Sequence, residues 1–219
     1  MTLKIYGVLR SRASRNVWLA RELGIPFERV EVIQAYRLAD PSAADAPFNT
    51  ASQAYRAINP NGLIPSIDDD GLIMHESLAI NLYLAKKHGG PLAPRDLSED
   101  GLMTMWALWA VTECEPHTLQ ILFQQREQQD ERGAAILETA ISALRRPFGV
   151  LEATLKDGGG YVIGQRFTVA DINVAEIFRY AQPAPGLFAE HPHVKAWLEA
   201  CQARPAFKEM MAARNSEPA

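Results

Sequence analysis

Apolar and polar positions alternate with period two in two short stretches near the start of the chain. Leu3-Lys4-Ile5-Tyr6-Gly7 reads as a strand, and Phe27 to Ile33 as a second, with Val30 and Val32 set against Glu31. Between them the period lengthens. Val17, Leu19, Ala20 and Leu23 fall at helical spacing, with Ser14 as the expected N-cap and Gly24 as the stop. Strand, helix and strand within about thirty residues make a βαβ unit, for which a parallel pair and a right-handed crossover are expected. Gln34 to Ile58 is rich in Ala, Asp and Pro and supports only a short helix near Ser52–Ala57.

The next stretch, Asn59 to Leu84, carries the densest signal. Asn59-Pro60-Asn61-Gly62 is turn chemistry, and a proline inside Leu63-Ile64-Pro65-Ser66-Ile67 means that a strand begins at Pro65 and does not run through it. Asp69-Asp70-Gly71 is a hairpin turn, with Gly71 free to take positive φ, and Leu72-Ile73-Met74 is the return strand. Glu76-Ser77 then opens a helix bearing Leu78, Ile80, Leu82, Leu84 and Ala85. Ser77 and its N–H at that helix start form a ready anion site.

Gly89-Gly90-Pro91-Leu92-Ala93-Pro94 is a linker, and everything after it has helical periodicity. Asp96 or Ser98 is expected to cap a helix carrying Leu102, Met105, Trp106, Trp109 and Leu122. A second long helix is expected from Glu131 to Lys156, closed by Gly158-Gly159-Gly160. Thr168 and Asp171 have capping-box spacing, with Phe167 and Ile172 placed as a hydrophobic staple, so their expected role is structural. Two further helices are expected near His193–Arg204 and Pro205–Arg214, and the residues after Arg214 are expected to fray.

Charge is balanced at −4, which gives nucleic acid or an acidic membrane surface no purchase. No run reaches the length of a membrane span or resembles a signal peptide. Cys114 and Cys201 stand far apart without a CxxC, which fits a reducing cytoplasm and neither a disulfide framework nor a structural zinc site. Asp68-Asp69-Asp70 reads as turn chemistry, and no metal is expected there. His191-Pro192-His193 reads as a helix start facing solvent.

The order of these features resembles the cytosolic glutathione transferases, bacterial-type serine enzymes of theta, zeta or beta kind. In that family an Ile-Pro or Val-Pro with a cis bond precedes a strand, a Glu-Ser or Gln-Ser opens a helix, and a Thr-x-x-Asp starts a helix in the second domain. The resemblance spans nearly the whole chain. It implies a thioredoxin-like α/β N-terminal domain over 1–88, a linker over 89–97, and an all-α helical bundle over 98–219 that forms the hydrophobic-substrate pocket. It also implies a cytoplasmic homodimer with glutathione as co-substrate, no metal, and detoxification of small hydrophobic electrophiles.

In such enzymes the protein lowers the pKa of the glutathione thiol, because only the thiolate attacks. Ser11, in the loop before the first helix, matches the activating serine, where beta-type enzymes place a cysteine. Ser14 and Tyr6 are its rivals, and Tyr6, alternating within a strand, is assigned to packing. The backbone of Ile64, turned outward by a cis bond at Pro65, would pair sheet-fashion with the cysteinyl amide of glutathione. Ser77 would take the γ-glutamyl carboxylate, with Glu76 facing the ammonium. Val8, Met105, Trp109 and Thr112 are candidates for the electrophile pocket.

There are departures. Leu63 replaces a residue that in many relatives reaches the glycyl carboxylate, leaving Arg12, Arg37 or Gln53 as substitutes. Thr104 replaces an acid that crosses the dimer interface, and Arg12, Ala13 and Asn16 break the zeta signature. Two other functions stay open on sequence alone. One is glutathione-dependent disulfide reduction, and the other is a non-catalytic glutathione or hydrophobe binder.

Overall fold

The computed structural model describes residues 2–124 and 130–218. It divides into two compact units, residues 1–88 with 205–219, and residues 89–204. The first boundary falls where the Gly-Pro linker is expected. The helix at Pro205, expected with the bundle, folds instead with the first unit.

In the first unit, β1 (Leu3–Tyr6) lies parallel to β2 (Phe27–Val30), and α1 (Ala13–Leu23) makes the crossover. A short helix, α2 (Gln53–Ile58), precedes the hairpin of β3 (Ser66–Asp69) and β4 (Leu72–His75), and α3 (Ser77–His88) follows. The sheet order is β2-β1-β3-β4, with β3 antiparallel to both its neighbours. Side chains alternate across a sheet, and here both faces are covered. Ile5 and Ile67 are fully buried, while Tyr6 packs on the other face with Val32 and with Tyr55 of α2.

Two local expectations shift. Helix α1 starts at Ala13, so Ser14 sits inside its first turn and does not cap it; the Ser14 hydroxyl donates to the Ser11 carbonyl at 3.0 Å. The acceptor for the Ala13 N–H is the Ser11 hydroxyl, at 3.0 Å. Nor does the chain fray after Arg214. Helix α10 (Pro205–Ser216) lies along α1, with Trp18 edge-on to Phe207 at 4.9 Å and Arg21 paired with Glu209 at 2.7 Å.

The second unit contains α4 (Leu97–Trp109), α5 (Glu115–Gln124), α6 (Glu131–Asp157), α7 (Val169–Phe178), α8 (Pro185–Glu190) and α9 (Pro192–Ala203). The single helix expected through Leu122 is interrupted by a π-type turn over Ala110–Cys114. Pro116 explains the break, because it has no N–H to return to Thr112 and the ladder must shift register there. Every residue of α7 is buried, the polar Asp171, Asn173 and Glu176 included. Phe178 at its end meets Phe148 at 4.8 Å and Trp197 at 6.2 Å.

The expected capping box is present at the start of α7. Asp171 is buried and accepts from the Thr168 N–H (2.8 Å), the Val162 N–H (3.0 Å) and the Trp197 indole (2.9 Å). Burial pushes its pKa up, against these donors. At the start of α4, Asp96 caps the helix, and Glu99 is gripped by Arg166 and Arg95. The Arg166 hydrogen bonds, seconded by those from Arg95, hold the Glu99 carboxyl at about 2, down from 4.5.

That depression has a sign. The unfolded chain binds the proton more tightly than the folded one, so the Glu99 contribution is full above about pH 4.5 and is lost as pH falls towards about 2. Glu99→Gln should therefore be less stable than the parent at neutral pH, and its urea midpoint should fall less steeply between those two pH values. Parallel midpoint curves for the two proteins would contradict this.

Candidate functional site

Three segments of the first unit converge on the opening turn of α1. The first is the end of β1. Gly7 has φ +139°, and a Cβ on it would lie 3.0 Å from the Ala13 Cβ and 3.2 Å from the Ile64 Cβ. Only glycine tolerates that approach. Its N–H is held by the Val30 carbonyl at 2.9 Å.

The second is the turn before β3. The Ile64-Pro65 bond is cis, and β3 begins at the following residue. The Leu63 carbonyl is clamped from below by the Tyr55 hydroxyl and the Asn59 amide, each at 2.7 Å. Tyr55 and Asn59 are both buried and both also reach the Ser66 hydroxyl, at 3.0 and 3.1 Å. Among the described residues nothing hydrogen-bonds the Ile64 N–H or carbonyl, which leaves the backbone of that residue, just before β3, open to a ligand. Leu63 itself points to solvent, 64% exposed.

The third is the start of α3. Glu76 takes φ +72°, a left-handed conformation that costs a side-chain-bearing residue roughly 1–3 kcal/mol and that clusters at ligand clamps. Ser77 follows it, buried, with its hydroxyl accepting from the Arg15 guanidinium at 3.2 Å and its carbonyl accepting from the Asn16 amide at 2.8 Å. Asn16 also donates to Asn81 of α3 at 2.7 Å. Polar groups from α1 thus fasten α1 to the start of α3 within the core.

Ser11 lies in the loop entering α1, partly buried. Its hydroxyl donates to the Val8 carbonyl at 2.6 Å and accepts from the Ala13 N–H at 3.0 Å. A hydroxyl has one proton, so any anion that Ser11 stabilises must take that proton's hydrogen bond from Val8. The Ala13 N–H polarises the oxygen and makes it a better donor. Tyr6 is a poorer one, because burial raises its pKa and its ring packs 6.4 Å from Tyr55.

Other positions singled out by sequence are distributed as follows. Val8 is buried in the first unit. In the second unit, Met105 is 48% exposed, Thr112 donates to the Leu108 carbonyl, and Trp109 stacks on Phe178 at 6.1 Å. Arg37 donates to Gln34 and to the Pro218 carbonyl, each at 3.3 Å, while Gln53 is exposed on α2. Of the three consecutive acids, Asp68 accepts from the Gly71 N–H, Asp69 is buried and pairs with Lys87 and Tyr83, and Asp70 takes φ +55° at the turn. Among the described residues no cluster of His, Cys, Asp or Glu is placed to hold a metal ion. Cys114 and Cys201 are free and buried, and burial pushes the Cys114 thiol up, away from reactivity. No helix among the described residues is long and apolar enough to cross a membrane.

Sequence comparison matches residues 5–92 to the glutathione S-transferase N-terminal domain and residues 114–205 to its C-terminal domain. Glutathione S-transferase 3 of Zea mays is 33% identical over 96% of this chain and 94% of its own length. The crystal structure of a glutathione transferase from Populus trichocarpa superposes with a TM-score of 0.80 at 28% identity, covering 98% of this chain and all of the other. A theta class glutathione S-transferase from Xanthomonas axonopodis pv. citri, solved with glutathione bound, gives 0.76 at 28% identity, covering 95% and 96% of the two chains.

Proposed function

The chain belongs to the glutathione S-transferase family and is a glutathione transferase with glutathione as its co-substrate, and we propose that Ser11 holds the glutathione sulfur as a thiolate for attack on a small hydrophobic electrophile. The observation that carries this reading is the meeting at α1: the Ser11 loop and Ser77 are hydrogen-bonded to its first turn, and Ile64 lies across Gly7 from it, 3.2 Å from a Cβ placed there that would itself lie 3.0 Å from the Ala13 Cβ. Glutathione laid across that point would pair its cysteinyl amide with the Ile64 backbone and its γ-glutamyl carboxylate with Ser77. Glu76, exposed beside Ser77, would face the ammonium. Its sulfur would then lie at the open end of α1, over Ser11.

Magnitudes support the arrangement. A hydrogen bond to a charged group contributes about 1.5–3 kcal/mol. The positive end of a helix adds about 0.3–1 kcal/mol for an anion there. At about 1.36 kcal/mol per pH unit, the two together lower a thiol pKa by about two units. A thiol near 8.5 would then titrate at about 6.5 and be mostly thiolate at neutral pH.

The proton leaving the sulfur goes to solvent, and the Ser11 hydroxyl turns from the Val8 carbonyl to the sulfur. Bond formation between sulfur and the electrophilic carbon then expels the leaving group with its electron pair. In the helical unit, Met105 on α4 and Thr112 in the π-type turn that follows are both exposed, and both are assigned to the electrophile contact. Trp109 serves packing through Phe178.

The same helix suggests the assembly. Leu97, Leu108 and Val111 are exposed at 86%, 62% and 39%, and with Thr104 they recur at helical spacing along α4 and its continuation. A homodimer in the cytoplasm is the reading that covers this stripe. Sedimentation should then give twice the 24.3 kDa chain mass; a species of 24.3 kDa at micromolar concentration would contradict it.

The catalytic reading is tested by Ser11→Ala with a dinitrophenyl halide as electrophile. Losing the hydroxyl should lower kcat/KM by roughly 10- to 100-fold at neutral pH. Retention on glutathione resin should persist, since Ile64, Glu76 and Ser77 are untouched. Unchanged kcat/KM would remove Ser11 from the chemistry.

A further inference from the structure

The loop that carries Ser11 is held from its far side by a residue two hundred positions away. Glu217, just beyond α10, accepts the Arg10 N–H with its Oε2 at 3.1 Å. The Arg10 Nε returns a bond to the Glu217 carbonyl, also at 3.1 Å. The other carboxylate oxygen, Oε1, is paired with Arg29 of β2. Arg37 reaches the next carbonyl, that of Pro218, at 3.3 Å, and the Gln34 amide approaches the Arg10 carbonyl at 3.5 Å. The Glu217 side chain is 10% exposed and its bonds to Arg10 are partly buried, while the Arg29 and Arg37 contacts lie at the surface.

The geometry of Arg10 makes this more than a surface tether. Its N–H belongs to the peptide plane it shares with Leu9, and its carbonyl to the plane that leads into Ser11. Fixing both groups leaves little freedom in the dihedrals that place the Ser11 Cα. On the other side, Ser11 is fixed by α1, through the Ser14 hydroxyl on its carbonyl and its own oxygen on the Ala13 N–H. Among the described residues the entering side is held within the loop by the Ser11 hydroxyl on the Val8 carbonyl and from outside it by Gln34 and Glu217, and Glu217 contributes the charged contact. Its own position is set by α10, which the Trp18–Phe207 contact and the Arg21–Glu209 pair dock along α1.

We propose that Glu217 is a positioning residue for Ser11. Its carboxylate, neutralised by Arg29, fixes the Arg10 backbone so that the Ser11 hydroxyl meets the glutathione sulfur at hydrogen-bond distance. Glu217 touches neither substrate; it acts through the loop. The inference rests on Ser11 being the thiolate partner, and the test separates the two.

The test follows kcat/KM against pH in the full-length protein, since the midpoint of the rising limb reports the thiol and is independent of the fraction folded. With Ser11 displaced, Glu217→Ala should move that midpoint up by about half to one pH unit and lower kcat more than it raises KM for glutathione. Glu217→Gln, which keeps an oxygen for the Arg10 N–H and gives up the charge facing Arg29, should fall between the two. Ser11→Ala is run beside them. A midpoint that stays at the parent value in Glu217→Ala while Ser11→Ala moves it overturns the positioning role and leaves the catalytic reading standing. A midpoint unmoved in Ser11→Ala overturns both.

Discussion

The close approach at Gly7 is the constraint on which the rest of the structure depends. Three segments that bring different chemistry press on one residue: the end of β1 leading to Ser11, the start of α1, and the turn holding Ile64. A single methyl group there would meet Ala13 at 3.0 Å and Ile64 at 3.2 Å. At those distances the neighbours would have to give by a few tenths of an ångström, and φ +139° strains any residue that carries a side chain. The site is therefore built from closeness first and from reactive groups second. The side chain proposed to act there is an ordinary serine, and any potency it has would come from where the fold puts it.

Around that point the buried polar groups have a common purpose. Tyr55 and Asn59 hold the Leu63 carbonyl, Asn16 holds the Ser77 carbonyl, and Gln34 and Glu217 hold the backbone of Arg10. Each fixes a main-chain group next to a residue proposed to bind or activate glutathione. Buried polar networks of this kind are costly when half-satisfied and rigid when complete. They give a site preorganised before its ligand arrives, with Ile64 left open for pairing and Glu76 held at a φ that few residues adopt unaided.

Much of this was legible along the chain, and the limits are physical. The βαβ order, the hairpin turn and the Thr168–Asp171 box are local patterns, and each is present. Ile64-Pro65 and Glu76-Ser77 were readable because unusual residues coincide at fixed spacing. What could not be read depends on distance in space. Asn16 and Asn81 are polar residues on a helix and look like surface until α1 and α3 are seen to pack through them. Tyr55 sits in a segment without periodicity. Pro116 lies inside a long apolar run whose spacing suggested one continuous helix. The tail past Arg214 has the composition of a frayed end, and only Arg10 and Arg29, far away in sequence, give Glu217 its place. Ser14 looked like a cap because α1 starts one residue before it, at Ala13.

The central claim is that Ser11, at the open end of α1, turns bound glutathione into a thiolate. Its most direct measurement is the ultraviolet absorbance of the thiolate in the binary complex, titrated against pH in the parent protein and in Ser11→Ala. The account predicts a midpoint about two pH units below that of free glutathione in the parent, and most of that depression gone in the variant. A midpoint at the free value in the parent, with glutathione bound, would contradict it.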